Sequence, residues 1–143
     1  MRRGEVLSLK WDRVSLNSNP QLTVTASYAK SNRARHIHLN SEAVAVLKKW
    51  KGQGTGSNWV FPSPKTGHRM QDLKKSWLLL LVNADIQNFR FHDLRHDFAS
   101  RLVMAGVDLY VLKDLLAHST IQVTEKYAHL APAALAEAVE MLV

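Results

Sequence analysis

Hydrophobic periodicity constrains this chain more than any other feature. A two-residue alternation marks residues 22–39, and the last third follows a helical period throughout. Leu22, Val24 and Ala26 alternate with Thr23 and Thr25, and Arg35-His36-Ile37-His38-Leu39 alternates again. With Ser31-Asn32 between them and the turn signal Asn17-Ser18-Asn19-Pro20 ahead, the segment from Leu22 to Leu39 predicts a β-hairpin. Arg3 to Lys10 reads as a short helix with Val6, Leu7 and Leu9 apolar. Asn40 or Ser41 caps a helix over Glu42 to Lys51, on which Val44, Leu47 and Lys48 stand at helical spacing. Gly52 to Ser57 is a loop, and Trp59-Val60-Phe61 is a short extended run stopped by Pro62 and Pro64. Gln71 to Asn83 is apolar on most faces and predicts a buried helix. His92 to Ala105 predicts a helix stopped by Gly106, and Asp108 caps the next, through Ala117. Ser119 or Thr120 starts another through Tyr127, and Pro132 opens a last one to Leu142. The fold class is therefore α+β, mostly helical, with a small antiparallel β-sheet near the N-terminus.

With 143 residues the chain is long enough for a hydrophobic core, and one domain is the default. A formal charge of +7 and a pI near 9.9 suggest a polyanionic partner, most often nucleic acid. The absence of cysteine excludes disulfides, thiolate metal sites and a Cys nucleophile. The longest apolar stretch, Trp77 to Val82, is far too short to span a bilayer. Basic residues at Arg2 and Arg3 are not followed by an apolar region of signal-peptide length, and the expected location is cytoplasmic.

Two local patterns carry chemistry. In Phe91-His92-Asp93-Leu94-Arg95-His96, His92 and Arg95 are three apart on a helix and share a face. A planar guanidinium fork beside an imidazole suits a phosphate: the first supplies donors, the second relays a proton. An isolated pattern of this kind is more often a solvated basic face. A rival reading pairs His92 with His96, four apart like two zinc ligands on a helix. It lacks the intervening Glu, has Ala99 and Leu102 where the extended zinc pattern needs Gly and His, and sets Arg95 between the ligands. The second pattern is Leu115-Leu116-Ala117-His118-Ser119-Thr120, followed by Thr124-Glu125-Lys126-Tyr127-Ala128-His129. His118 ends one helix and Tyr127 stands near the end of the next, with Lys126 and His129 giving it a positive local field. A lone tyrosine in such a place is usually an ordinary half-buried one.

Taken in order, Arg2-Arg3-Gly4-Glu5, Lys30, His92-Asp93-Leu94-Arg95-His96, Ala117-His118 and Tyr127 resemble the tyrosine recombinases, or phage-type integrases. Leu7-Ser8-Leu9-Lys10-Trp11-Asp12 and Thr124-x-x-Tyr127-Ala128-His129 agree too, so the likeness covers nearly the whole chain. It implies a site-specific DNA recombinase that cleaves and rejoins strands without ATP, metal or other cofactor. Tyr127 would attack the scissile phosphodiester, leaving a 3′-phosphotyrosyl link and a free 5′-hydroxyl. Arg2, Arg95 and His118 would stabilise charge on the non-bridging oxygens. Lys30 would protonate the leaving 5′-oxygen, His92 would assist as acid or base, and Glu5 would orient the cluster. Double-stranded DNA and a homotetramer on that DNA are the implied partners.

The family usually has Gly before the third-motif His, where this chain has Ala117, and Arg33 and Arg35 compete with Lys30 for the hairpin position. Members normally carry an N-terminal DNA-clamping domain. The resemblance therefore implies that residues 1–143 are a catalytic domain alone, a fragment. Two other readings stay open: an inactive DNA-binding remnant, and a type IB topoisomerase-like activity using the same tyrosine chemistry. Leu135, Val139 and Leu142 form a stripe on the last helix, which predicts docking on a neighbouring protomer or on the same domain.

Overall fold

A computed structural model describes residues 1–28, 34–54 and 56–131. Lys30, the Ser31-Asn32 turn and the last helix from Pro132 lie outside the described residues. The chain divides into two compact units, Met1–Phe89 and Arg90–Val143.

The first unit opens with α1 (Arg3–Leu7) and a 3₁₀ turn at Trp11–Arg13. A three-stranded antiparallel sheet follows in the order β1 (Val14–Ser15), β2 (Gln21–Val24), β3 (Arg35–His38). The alternation sets its faces: Leu22 and Val24 are buried, and Leu22 stands opposite Ile37. His36 and His38 are exposed, His36 Nδ1 lying 3.1 Å from Thr23 Oγ1. The expected alternation ends early. Ala26 lies in a 3₁₀ turn, Ala26–Tyr28, closed by Tyr28 N–H donating to Thr25 O at 3.1 Å. An added strand, β1, pairs Val14 with Leu22. The Asn17 turn joins them, its Oδ1 accepting from Ser15 Oγ at 2.7 Å and from Asn19 N–H at 3.3 Å.

Leu9, Leu22, Val24 and Val60 form the core of this unit, packed by Trp11, Ile37, Leu47, Trp50 and Phe61. The extended run around Val60 is tied in by backbone, Val60 N–H donating to Leu9 O at 2.9 Å, and by Trp50 Nε1, which donates to Val60 O at 2.6 Å. Helix α2 (Ser41–Gly52) is capped by Asn40, whose Oδ1 accepts from Ala43 N–H at 2.9 Å. Val44, Leu47 and Trp50 lie on its half-buried face, whereas Lys48 is exposed. Helix α3 (Lys74–Asn83) corrects the expectation of a buried helix. Only Leu81 is buried, and Leu78, Leu79, Leu80 and Val82 are exposed. A helix packed along one edge covers one stripe of side chains, and six consecutive apolar residues exceed one stripe.

In the second unit, α4 (Asp93–Met104) buries Arg95, Ala99 and Val103 at four-residue spacing. Helix α5 (Leu109–Leu116) meets that face with Leu112 and Leu116, and Tyr127 completes the cluster. The caps are those predicted. Asp108 Oδ1 accepts from Tyr110 N–H at 2.7 Å. Gly106, at φ +83°, ends α4 with Gly106 N–H donating to Val103 O and Val107 N–H to Leu102 O. The next helix differs from expectation. Neither Ser119 nor Thr120 caps it, and α6 is one turn, Gln122–Glu125, followed by a 3₁₀ turn at Ala128–Leu130. Three β-branched residues, Ile121, Val123 and Thr124, give it little helical propensity of its own. Among the described residues no helix is long and apolar enough to cross a membrane.

Candidate active site

Helix α4 begins where Asp93 accepts from Arg90 N–H at 2.7 Å, which leaves His92 as the residue just ahead of its first turn. His92 is exposed, and its ring meets the His96 ring edge-on, with centroids 5.1 Å apart. Arg95, one turn in, points the other way in burial: it is 8% exposed, and its guanidinium donates to the Leu116 carbonyl. That carbonyl belongs to the last turn of α5, where acceptors lack intrahelical partners and a positive charge is stabilised.

The same helix end delivers His118. Ala117 takes φ 51° and ψ 51°, the left-handed conformation. Ala117 N–H then donates to Asp114 O and His118 N–H to Lys113 O, both at 3.0 Å, a Schellman closure. The geometry explains why glycine suits this position: only glycine adopts it without strain. Alanine still takes it here, and His118 follows directly. His118 Nδ1 lies 2.9 Å from Thr124 Oγ1, and Thr124 is fully buried.

Thr124 sits one turn before Tyr127, so the bond that fixes His118 also fixes the approach to the tyrosine. Tyr127 is 6% exposed, its ring packed with Ala99, Val103, Leu112 and Leu116. Its hydroxyl lies 2.6 Å from His96 Nδ1, and Lys126 Nζ stands 4.9 Å from the ring centre. Burial lowers the His96 pKa below its usual value of 6.5; Lys126, His92 and Arg90 push the same way, and Asp93 opposes them.

In the first unit, Arg2 precedes α1 and Glu5 is one turn in. The Glu5 carboxylate is 2% exposed and accepts from Arg2 N–H at 2.7 Å, from the Arg2 guanidinium at 3.4 Å and from Arg35 at 2.8 Å. Burial alone would raise the Glu5 pKa, but the Arg35 hydrogen bond, the Arg2 N–H and the two positive charges outweigh it and hold it below 4.5. Arg35 is thus occupied with Glu5.

Residues 92, 95, 118 and 127 all fall in the second unit, linked through Leu116, Thr124 and His96. Arg2 and Glu5 fall in the first, and Lys30 is outside the described residues. Sequence reasoning missed three partners. His96 was given a role only in the rival zinc reading, and otherwise stood as the last residue of the His92-to-His96 motif. Thr124 was taken as a flanking match. Arg35 was read as a rival to Lys30, although its alternation with Ile37 and Leu39 puts it on their face. Among the described residues no three His, Asp or Glu side chains are grouped to hold a metal ion.

Residues 1–134 match the Phage integrase family. The integrase of Salmonella phage P22 is 35% identical over 149 residues, covering 96% of this chain and 38% of that protein. The tyrosine recombinase XerC of Erythrobacter litoralis is 36% identical over 132 residues, covering 90% of this chain and 42% of that one. Among solved structures, the catalytic domain of bacteriophage HP1 integrase superposes with a TM-score of 0.69 at 28% identity, covering 98% of this chain and 73% of that domain. The chain thus spans about two fifths of the length of these two curated relatives.

Proposed function

The chain belongs to the phage integrase family, and from that premise we propose that it is the catalytic domain of a site-specific DNA recombinase with Tyr127 as nucleophile. The observation that carries this reading is the polar chain of the second unit. Arg95 holds the end of α5, α5 delivers His118, His118 meets Thr124, and Tyr127 follows one turn later with an imidazole at its hydroxyl. A tyrosine needed only for packing does not call for an arginine, a histidine and a second histidine in register with it.

In the proposed reaction, Tyr127 Oη attacks the scissile phosphorus in line. A 3′-phosphotyrosyl bond forms as the bond to the 5′-oxygen breaks. One phosphodiester replaces another, so no ATP is consumed. Arg2, Arg95 and His118 offset the charge that builds on the non-bridging oxygens, a role for fixed cationic donors that needs no metal. Lys30 protonates the leaving oxygen, and His92 assists proton movement. Glu5 acts by holding Arg2 in place. The partner is double-stranded DNA, which the net charge of +7 favours, and the working assembly is a homotetramer on it.

The test uses a nicked duplex carrying the DNA that flanks the gene, so that cleavage traps the covalent complex. The protein as its gene encodes it should form the adduct, and Tyr127→Phe should form none while still binding DNA. Binding without any adduct by the unaltered protein would favour an inactive remnant. Nicking and resealing without site preference would favour the topoisomerase reading. An adduct formed by Tyr127→Phe would overturn the assignment.

A further inference from the structure

Two imidazoles stand near the start of α4, and the proposed reaction gives a proton-moving role only to His92. The nucleophile's hydroxyl meets the other. His96 Nδ1 is 2.6 Å from Tyr127 Oη, within the distance a proton crosses in one step. We propose that His96 takes the phenolic proton of Tyr127 as the tyrosine attacks phosphorus, and returns it when the strand is rejoined. This assignment rests on Tyr127 being the nucleophile and adds the base that activates it.

Bonds and charges balance. The Tyr127 O–H bond breaks as an N–H bond forms at His96 Nδ1, leaving an imidazolium. The Oη–P bond forms as the P–O5′ bond breaks, and the 5′-oxygen takes its proton from a separate acid, the role given to Lys30. On rejoining, the 5′-hydroxyl returns its proton to Lys30 as it attacks phosphorus, the Oη–P bond breaks, and the departing phenolate recovers its proton from His96. Nothing is oxidised or reduced.

Three features of the second unit suit this role. His96 sits on α4 between buried Arg95 and the core residue Ala99, so its backbone is fixed by the packed face of the helix. Tyr127 is fixed by its ring among Ala99, Val103, Leu112 and Leu116, so the pair meets through two rigid attachments. The charged and titratable groups acting on His96 are Lys126 from the tyrosine segment, with His92, Arg90 and Asp93 from the start of α4. Burial and three of those four keep the ring neutral near pH 7, the state in which one nitrogen can accept a proton. His92, in contrast, is exposed and touches His96 edge-on, one residue further from the tyrosine in this relay.

The experiment follows adduct formation on the nicked duplex against pH. Unaltered protein should gain rate as pH rises through a titration below 6.5, where His96 loses its proton. His96→Gln keeps a hydrogen-bond acceptor but takes no proton. It should bind DNA as before, form adduct at least about 100-fold more slowly, and lose that acidic limb. An adduct rate within about threefold of the unaltered protein, with the limb intact, overturns the proposal. Tyr127→Phe, run in parallel, separates the two assignments. If it still forms adduct, the nucleophile is misassigned; if it is inert while His96→Gln is unimpaired, only the base is. Should His96→Gln fail to fold, ¹⁵N spectra of the unaltered protein decide. At neutral pH His96 Nδ1 should be unprotonated, and a protonated Nδ1 refutes the assignment.

Discussion

Ala117 stands at φ 51° with a Cβ that the left-handed region disfavours, and it does so at the turn that presents His118. Ala117→Gly should therefore stabilise the protein by roughly 1 kcal/mol, raising the thermal midpoint by about 2–4 °C. An unchanged or lower midpoint would show that the turn is not strained. Glu5 makes a second prediction, with its sign fixed by linkage. Its folded pKa lies below the unfolded value of 4.5, so its stabilisation is complete above that pH and is lost as pH falls through the folded value. Urea midpoints taken from about pH 6 down to about pH 3 should fall more steeply for the unaltered protein than for Glu5→Gln. Parallel curves would mean that Glu5 is not held by Arg35 and Arg2. Residue types and their order put His92, Arg95, His118 and Tyr127 forward as candidates from the sequence. His96 and Thr124 were not, because their partners lie 31 and 6 positions away and depend on how α4 and the one-turn α6 rotate.

Helix α5 shows how far pattern reading reaches. Its cap at Asp108 and its end at Ala117 were read from the sequence, and the structure adds its buried face, with Leu112 and Leu116 essentially without solvent exposure. Leu112 touches the cluster that seats Tyr127, so Leu112→Ala should cost about 2–5 kcal/mol, read from the urea midpoint. It should also slow adduct formation in the fraction that stays folded. A cost below about 1 kcal/mol would mean that this cluster does not hold the unit together. Two short elements, β1 and α6, were less legible for a physical reason. β1 has only Val14 and Ser15, too few to alternate, and α6 has four residues, about one helical turn, too few to show a period. The misjudged burial of α3 has another cause: hydrophobicity records what a helix could cover, and packing decides how much of it is covered.

At the scale of the whole molecule, a charge of +7 on 143 residues favours a long-range attraction to DNA that carries no sequence information. Binding should weaken steeply with salt, the log–log slope growing by about 0.9 for each phosphate neutralised. Affinity that is flat across the salt series would mean that Lys and Arg contacts do not drive binding. Specific chemistry is a separate claim and rests on one oxygen atom. Residues 1–143 hold three tyrosines, Tyr28, Tyr110 and Tyr127, and the peptide that carries the nucleotide identifies the attachment point. The covalent complex trapped on the nicked duplex would be digested with trypsin and nuclease and its nucleotide-bearing peptide sequenced by mass spectrometry. The account predicts a 3′-phosphate on Tyr127, in the peptide that follows Lys126. A nucleotide on Tyr28, Tyr110 or any other tyrosine of the protein, or one joined through its 5′ end, would contradict it.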